Sequence, residues 1–382
     1  MIKGIRFAGV ESGIKPKGYD LGLVLFEEPM NCLAAYTRNR VKAAHILYNR
    51  RQKADKVRAI LVNSGCANAC TGKEGVEDLK TIGDILSETL NIERQSILFA
   101  STGVIGKRLP KDRIIGVIPR LLKGLKEKNI ELFAHAIMTT DTYPKIVETR
   151  FKGKKEYTIV GVAKGSGMIN PLFATMLAFF FTDYPVPQER FNRYFKDSVR
   201  GSFERITVDG ECSTNDTVML FSRQSDEDED SLGLFRDSLN KAMKELSLMV
   251  VRDGEGATRV IHITVKGART KDVAERVARR IATSPLSKAA FFGCDPNWGR
   301  FIAAAGDAGV PVDPSRVEII LQGEVLVKGG VEVPFDEQGL KGLMNKKDIE
   351  LLIDLHKGKS SFDIYTTDLT YDYVKINASY RS

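Results

Sequence analysis

The stretch KGSGMINPLFATMLAFFFTD, residues 164–183, decides how the chain folds. Gly165, Gly167 and Pro171 mark turns, and a short apolar run follows Thr175. An apolar run of this length, bounded by turn residues, is typical of a strand buried on both faces of a sheet. Thr175 would stand at the start of that strand. From the residues alone, its hydroxyl group is either a structural feature of the strand or a nucleophile.

Length and composition indicate a globular protein with a large core. The chain has 382 residues, of which 43% are hydrophobic, and this length favours two or three domains. No apolar run reaches the roughly 18–20 residues that a membrane-spanning helix needs. The first residues, MIKGIRFAGVESGIKPKGYD, lack the apolar segment of a secretory signal. We therefore expect a soluble, cytoplasmic protein.

The cysteines, histidines and net charge argue against several classes of site. Five cysteines, an odd number, are more typical of reduced thiols than of a disulfide framework. Cys66 and Cys70 could share a helix face, but no second cysteine pair or nearby histidine completes a zinc site. The net charge of +8 comes from basic residues that are interleaved with acidic ones, and no nucleic-acid-binding motif is visible. We expect no metal, nucleic acid or membrane partner, and a preference for anionic small substrates.

Apolar periodicity predicts an α/β protein with layered sheets and helices. Strand-like runs alternate with helical patterns along both halves of the chain. The run of acidic residues at 226–230 indicates a solvated loop. The predicted strands are 21–26, 59–63, 97–101, 157–163, 217–222, 260–266 and 317–322, and the predicted helices are 75–90, 111–128, 188–201, 234–251 and 271–283.

Familiar nucleotide and hydrolase motifs are missing. Gly165-Ser166-Gly167 would need a third glycine at position 170 to form a dinucleotide fingerprint, but that residue is Asn170. The segment 101–107 ends like a phosphate loop but begins with a serine instead of the first glycine. Gly-x-Ser-x-Gly does not occur. Redox and nucleotide chemistry are therefore disfavoured, and no cofactor is expected.

Five polar segments rich in glycine, asparagine and threonine join the predicted elements. Each of them alone is most simply a turn, because these are the ordinary turn residues. Together they would more economically line one pocket. They are residues 63–72, 101–106, 139–142, 209–217 and 252–258.

With these segments in view, the chain resembles the ornithine acetyltransferase (glutamate N-acetyltransferase) family of arginine biosynthesis. Lys-Gly-Ser-Gly-Met at 164–168 and Ala-Thr-Met-Leu-Ala-Phe at 174–179 carry the resemblance. It continues through Ser-Thr-Asn-Asp-Thr at 213–217, Asp-Pro-Asn-Trp-Gly-Arg at 295–300 and Asn-Ala-Ser-Tyr-Arg-Ser at 377–382. The resemblance covers essentially the whole chain. It implies layered sheets of the ornithine acetyltransferase and DmpA-like type, similar to N-terminal-nucleophile enzymes.

The resemblance implies self-cleavage between Ala174 and Thr175. An α chain, 1–174, and a β chain, 175–382, would stay associated as an α2β2 heterotetramer. Cleavage frees the α-amine of Thr175, whose unperturbed pKa of about 8 lets it take the hydroxyl proton. Thr175 would then accept an acetyl group from N-acetylornithine and pass it to glutamate in a ping-pong reaction. Acetyl-CoA is a second donor in some members.

The resemblance also assigns the remaining site residues. Thr102 and Gly103 would stabilise the oxyanion, a role in which one donor is typically worth about 100- to 1000-fold in rate. Lys164 would bind a substrate carboxylate, and Glu255 would hold the ammonium group of ornithine. The implied substrate-binding set is Thr140, Lys164, Thr175, Glu255, Asn377 and Ser382.

Two features leave alternatives open. Asn170-Pro171-Leu172-Phe173 departs from the segment that usually precedes the cleavage site in this family, which could alter the efficiency of cleavage. A Thr-nucleophile amidohydrolase or aminopeptidase on the same scaffold would use the same acyl-enzyme but transfer the acyl group to water.

Overall fold

A computed structural model describes residues 1–170, 176–186, 188–224 and 231–379. The chain divides into two compact units. Among the described residues, the first comprises Met1–Glu204 and Cys212–Val250, and the second comprises Arg205–Glu211 and residues 251–379. The predicted acidic loop at 226–230 lies outside the described residues.

The first unit is built on a mixed β-sheet. Its strands follow the order β4-β3-β2-β8-β7-β6-β5, and β1 pairs with β2 beside this path. The β3–β4 and β7–β8 pairs are parallel, whereas β1–β2, β2–β3, β2–β8, β5–β6 and β6–β7 are antiparallel. The strands are β1 (Ile5–Val10), β2 (Leu21–Tyr36), β3 (Val57–Cys66), β4 (Ile97–Val104), β5 (Lys145–Lys152), β6 (Glu156–Lys164), β7 (Leu177–Thr182) and β8 (Thr217–Arg223).

Both faces of this sheet are covered by apolar side chains. Successive strand residues point to opposite faces, so Val24 and Leu25 enter different core clusters. Every described residue of β7 is buried. The predicted two-sided burial of this strand is therefore confirmed, with the strand beginning at Leu177.

Helices pack on this sheet, and one of them is shorter than predicted. The helix predicted over 111–128 ends at Lys123, because Lys126 instead exchanges backbone hydrogen bonds with Phe7 of β1. The helices of the first unit are α1 (Ala44–Asn49), α2 (Gly72–Leu90), α3 (Lys111–Lys123), α4 (Ile130–Ile137), α5 (Gln188–Gly201) and α6 (Leu232–Arg252).

The helix predicted over 234–251 is confirmed as α6, and most of the apolar residues that recur along it at helical spacing are buried. Phe235, Leu239, Met243 and Leu246 are fully buried, but Leu234 is 50% exposed and Met249 is only partly buried. The buried stripe is therefore shorter at both ends than its apolar periodicity predicts.

The second unit has its own sheet and core. Its strands follow the order β12-β11-β10-β13-β9-β14, in which only β13 and β9 are parallel among the described pairs. The elements are β9 (Val260–Ala268), α7 (Lys271–Ala282), α8 (Pro285–Phe292), α9 (Trp298–Gly306), β10 (Glu318–Leu321), β11 (Glu324–Lys328), β12 (Val331–Glu332), α10 (Glu337–Met344), β13 (Asp348–Asp354), β14 (Ser360–Thr367) and α11 (Tyr371–Ser379).

The architecture confirms the predicted α/β class with layered sheets and helices. Within the described parts of the chain, no helix is long and apolar enough to cross a membrane.

Candidate active site

Two of the polar segments meet at the ends of parallel strands in the first unit. Strands β3 and β4 run side by side, so Ser64 lies opposite Thr102 and Gly65 opposite Gly103. Gly103 has a φ of 127°, and a Cβ there would lie 2.4 Å from the carbonyl carbon of Gly65. Only glycine permits this close backbone approach. The geometry therefore explains the glycine at the predicted oxyanion position.

Lys164 ends β6 and points its ammonium group at Thr102. Its Nζ lies 3.5 Å from Thr102 Oγ1, and both side chains are buried. An ammonium group only donates hydrogen bonds, so the threonine oxygen is the acceptor here. The hydroxyl hydrogen of Thr102 is thereby left to donate elsewhere, as an oxyanion contact requires.

Asp141 provides the negative charge for two buried lysines. Its Oδ1 lies 2.7 Å from Lys145 Nζ, and its Oδ2 lies 3.9 Å from Lys164 Nζ. The backbone N–H groups of Thr139 and Gly165 also donate to this carboxylate, at 3.0 and 2.6 Å. The carboxylate thus fixes the start of the glycine loop after Lys164.

The ionisation of Asp141 follows from these contacts. Burial alone would raise the pKa of its carboxyl group, but the charges of Lys164 and Lys145 and the hydrogen bonds outweigh that effect. The pKa of Asp141 is lowered to about 2. Asp141 is therefore a buried carboxylate at neutral pH.

Sequence reasoning did not assign a role to Asp141 or Lys145. Asp141 did lie in a polar segment, next to the predicted substrate residue Thr140. Thr140 is half-buried in the loop between α4 and β5. Lys145 carried no signal, because its role depends on full burial beside Asp141.

A fourth polar segment joins the same region through Asn215. The amide group of Asn215 donates to the carbonyl oxygens of Ala67 and Ser101, both at 2.7 Å. Cys66 ends β3 and Cys70 lies in the loop before α2, so the two cysteines do not share a helix face. In the first unit, the segments 63–72, 101–106, 139–142 and 213–217 therefore surround Lys164 and Thr102, which supports one shared pocket there.

The residue after Thr175 is held by the same region. The backbone N–H of Met176 donates to Asp216 Oδ1 at 3.2 Å, and its carbonyl accepts from Thr217 N at 3.0 Å. Burial raises the pKa of the Asp216 carboxyl group well above its ordinary value, and Cys212 raises it further. The hydrogen bonds and Lys164 act in the opposite direction but do not cancel this shift.

Two predicted residues lie together in the second unit. Asn377 on α11 donates from its amide group to Glu255 Oε2 at 2.9 Å. The turn that contains Glu255 packs against the start of α11, since Thr370 Oγ1 donates to the carbonyl of Gly256 at 2.7 Å. Two residues that are far apart in sequence thus form one polar pair.

Three predicted site residues lie outside the described residues: Ala174, Thr175 and Ser382. The roles of Thr102, Gly103, Thr140, Lys164, Glu255 and Asn377 remain predictions, although Thr102, Gly103 and Lys164 are brought together as expected.

The layered α/β fold brings a buried lysine, a threonine hydroxyl group and a glycine of positive φ together at strand ends, an arrangement that could serve an enzyme of acyl transfer. Comparison with known proteins specifies the class further. The ArgJ family model matches residues 6–382. The chain therefore belongs to the ArgJ family.

Individual relatives agree along their full length. The arginine biosynthesis bifunctional protein ArgJ of Geobacter sulfurreducens is 43% identical over 391 residues and covers 100% of both chains. The protein of the same name from Thermus thermophilus is 42% identical, covering 99% of this chain and 98% of its own. A crystal structure of arginine biosynthesis bifunctional protein ArgJ from Bacillus halodurans is 33% identical, with a TM-score of 0.50. It covers 53% of this chain and 98% of the solved chain.

These matches confirm the predicted family and, with it, an acyltransferase of arginine biosynthesis. The resemblance to N-terminal-nucleophile enzymes and the division at residues 174 and 175 stay predictions.

Proposed function

We propose that the chain is a self-processing glutamate N-acetyltransferase. It cleaves itself between Ala174 and Thr175, and Thr175 then moves the acetyl group of N-acetylornithine to glutamate. The names of the relatives, which call them bifunctional, extend the proposal to a second activity. In that activity, acetyl-CoA supplies the acetyl group to glutamate.

The strongest support is the placement of Lys164. It pairs with Leu177, two residues after Thr175, in the β6–β7 ladder. Its ammonium group lies 3.5 Å from Thr102 Oγ1. The segment that carries the nucleophile in sequence therefore continues directly into a strand beside the carboxylate-binding lysine and the oxyanion threonine.

The proposed reaction uses the freed α-amine of Thr175 as the base. The amine takes the hydroxyl proton while Oγ bonds to the acetyl carbonyl carbon, and the Thr102 hydroxyl and Gly103 N–H donate to the resulting oxyanion. The bond to the ornithine nitrogen then breaks, and that nitrogen takes the proton. The amine of glutamate then bonds to the acetyl carbon of the acetyl-Thr175 ester as the bond from that carbon to Oγ breaks. A proton from the glutamate amine passes through the α-amine of Thr175 to Oγ, which restores the threonine hydroxyl group.

Charge supports the assignment of an amino-acid substrate. Lys164 is buried between Thr102 and Asp141, where an ammonium group can attract an α-carboxylate. Asp141 is also bonded to Lys145, so its single carboxylate is shared between two buried lysines. The region around Lys164 therefore favours an anionic group. Thr140, Glu255, Asn377 and Ser382 complete the proposed substrate contacts by resemblance.

Strand order supports the continued association of the two fragments. Strands β7 and β8 belong to the fragment 175–382, yet they lie between β2 and β6 of the fragment 1–174. Main-chain ladders on both sides would hold the cleaved chains in one sheet. The solved Bacillus halodurans chain matches only 53% of this chain, a size expected of one such fragment.

The assembly and location are parts of the same proposal. We propose an α2β2 heterotetramer that works in the cytoplasm. All five cysteines are free thiols, which suits a reducing compartment.

The experiment starts with the purified protein on a denaturing gel and N-terminal sequencing of its fragments. We expect two bands, one of them beginning Thr-Met-Leu-Ala-Phe. Thr175→Ala should give one full-length band and no activity, while Thr175→Ser, which keeps a hydroxyl group, should retain cleavage. A single full-length band from folded wild-type protein, unchanged in Thr175→Ala, would contradict the proposal.

A second assay separates transfer from hydrolysis. The enzyme is incubated with N-acetylornithine, with and without glutamate, and the products are quantified. Ornithine and N-acetylglutamate should appear together and depend on glutamate. Ornithine and acetate released at the same rate without glutamate would favour the amidohydrolase alternative instead.

A further inference from the structure

Asp216 is buried next to the segment that contains the predicted nucleophile. Asp216 is 2% exposed, and its Oδ1 accepts the backbone N–H of Met176 at 3.2 Å. Its other oxygen, Oδ2, makes no hydrogen bond of ordinary geometry among the described residues and has no contact with solvent, although the Thr37 hydroxyl group lies near enough to lower the pKa of the carboxyl group. An unpartnered carboxyl oxygen is costly in a protein interior. This arrangement needs a reason beyond packing.

The position of the hydrogen bond supplies that reason. The parallel β7–β8 ladder begins at the pair Leu177 and Thr217. One residue earlier, the side chain of Asp216 takes the place that a backbone carbonyl would have in a strand. Both backbone groups of Met176 are therefore hydrogen-bonded, its N–H to the Asp216 side chain and its carbonyl to the N–H of Thr217. The nitrogen that Asp216 holds is the one to which the carbonyl carbon of Thr175 is bonded.

We infer that Asp216 is a positioning residue for Thr175, acting through the Met176 amide in both self-cleavage and acetyl transfer. The inference rests on the proposed function. A nucleophile must be held within a fraction of an ångström of its target, and a misplacement of about 1 Å can cost about 100-fold in rate. By accepting the N–H of Met176, the Asp216 side chain restricts the backbone directly after Thr175.

The environment of the Asp216 side chain raises its pKa, which favours a neutral carboxyl group in this positioning role. Burial and the neighbouring Cys212 raise the pKa of Asp216, and the more distant charge of Lys164 only partly opposes them. Thr37 packs against the same segment, with its N–H bonded to the Asp216 carbonyl at 3.0 Å. A neutral group keeps a negative charge away from the nucleophile while still accepting the Met176 hydrogen bond. Asparagine has the same shape and the same accepting oxygen.

The test compares Asp216→Asn with Asp216→Leu in the full chain. Leucine is close to aspartate in shape but cannot accept the Met176 hydrogen bond. We expect Asp216→Leu to slow self-cleavage and lower kcat about 100-fold with little change in KM, and Asp216→Asn to stay within about fivefold of wild type. Rates come from a time course on denaturing gels and from the acetylornithine–glutamate assay, with folding checked by thermal unfolding. If the leucine variant does not fold, Asp216→Ala takes its place.

The controls separate this inference from the proposed function. Asp78→Asn and Asp78→Leu change a buried aspartate of α2 that pairs with Arg108, and both should cleave and turn over normally. Normal cleavage and kcat in folded Asp216→Leu would overturn the inference while leaving the proposed function intact. Equal losses in the asparagine and leucine variants would also overturn it, since the proton of Asp216 would then be required. A wild-type protein that neither cleaves nor transfers acetyl would refute the proposed function itself.

Discussion

Two buried aspartates of the first unit, Asp141 and Asp216, have opposite environments. The carboxylate of Asp141 lies between Lys145 and Lys164 and accepts two backbone N–H groups. The carboxyl group of Asp216 accepts one backbone N–H and lies near the Thr37 hydroxyl group, and its second oxygen makes no hydrogen bond of ordinary geometry in the described part of the chain. The pKa is lowered to about 2 for Asp141 and raised for Asp216. Two buried aspartates thus have pKa values shifted in opposite directions.

The difference shows what each residue can contribute to chemistry. Asp141 places a carboxylate beside two buried lysines, one of which is Lys164, the residue proposed to attract an anionic substrate. Asp216 adds a hydrogen-bond acceptor beside Met176 without adding charge. Burial alone does not determine the direction of the pKa shift, because neighbouring charges and hydrogen bonds can outweigh it.

The largest effect is expected from removing the charge of Asp141. Asp141→Ala leaves Lys145 and Lys164, which are 0% and 4% exposed, without their shared carboxylate. Breaking a buried pair in this way typically costs about 3–5 kcal/mol, and we expect a loss of that size in the free energy of unfolding. Urea denaturation at pH 7 measures it.

A matched aspartate provides the control. Asp78 is also buried, but its partners Arg108 and Lys111 are 49% and 38% exposed and can be hydrated when it is removed. Asp78→Ala should therefore cost only about 1 kcal/mol. Equal losses in the two variants would mean that the buried lysines of the Asp141 cluster do not depend on its charge.

Acid should remove the contribution of Asp141 specifically. Its folded-state pKa of about 2 lies below the ordinary value of 3.8, so the stabilisation is complete above that value and is lost as pH falls through the folded pKa. The shift corresponds to about 2 kcal/mol. The asparagine side chain of Asp141→Asn cannot ionise, so the stability difference between wild type and this variant should shrink by that amount between pH 5 and pH 2. A difference that is constant with pH would contradict an ionised Asp141.

The sheet around these aspartates was largely predictable from local pattern. Apolar runs placed β6, β7 and β8 within a residue or two of their observed ends, and the helix predicted over 188–201 is observed as Gln188–Gly201. The pattern missed the full length of β2, because Glu27, Glu28 and Pro29 interrupt its apolar run. The strand nevertheless continues to Tyr36, with its register shifting between Leu25 and Met30 as it leaves β3 for β8.

The candidate site was predictable only where residues match the family. Thr102, Gly103 and Lys164 carry such matches, and the structure brings them together. Asp141 and Asp216 lay in polar segments that could equally be turns, and nothing local distinguishes their states. The pKa of Asp141 is lowered by Lys164 and Lys145, whereas the pKa of Asp216 is raised mainly by burial. Such contacts arise from strand order and from burial, which no short stretch of sequence encodes.

The smallest effect is expected for Asp216→Asn at about pH 4. Both side chains are then neutral in the folded protein, and both can accept the Met176 N–H, so stability should change by less than about 1 kcal/mol. As pH rises above 4, the unfolded wild-type chain releases a proton that the folded chain keeps, because the folded pKa is raised. Wild-type stability from this group therefore falls with rising pH, whereas the asparagine of the variant has no proton to lose. Urea titrations at several pH values should show that the stability of Asp216→Asn relative to wild type increases between pH 4 and pH 7. The stability of Asp141→Asn relative to wild type should instead decrease as pH rises from 2 to 5. A variant that instead loses stability relative to wild type as pH rises would show that Asp216 is ionised, and the contrast between the two aspartates would be wrong.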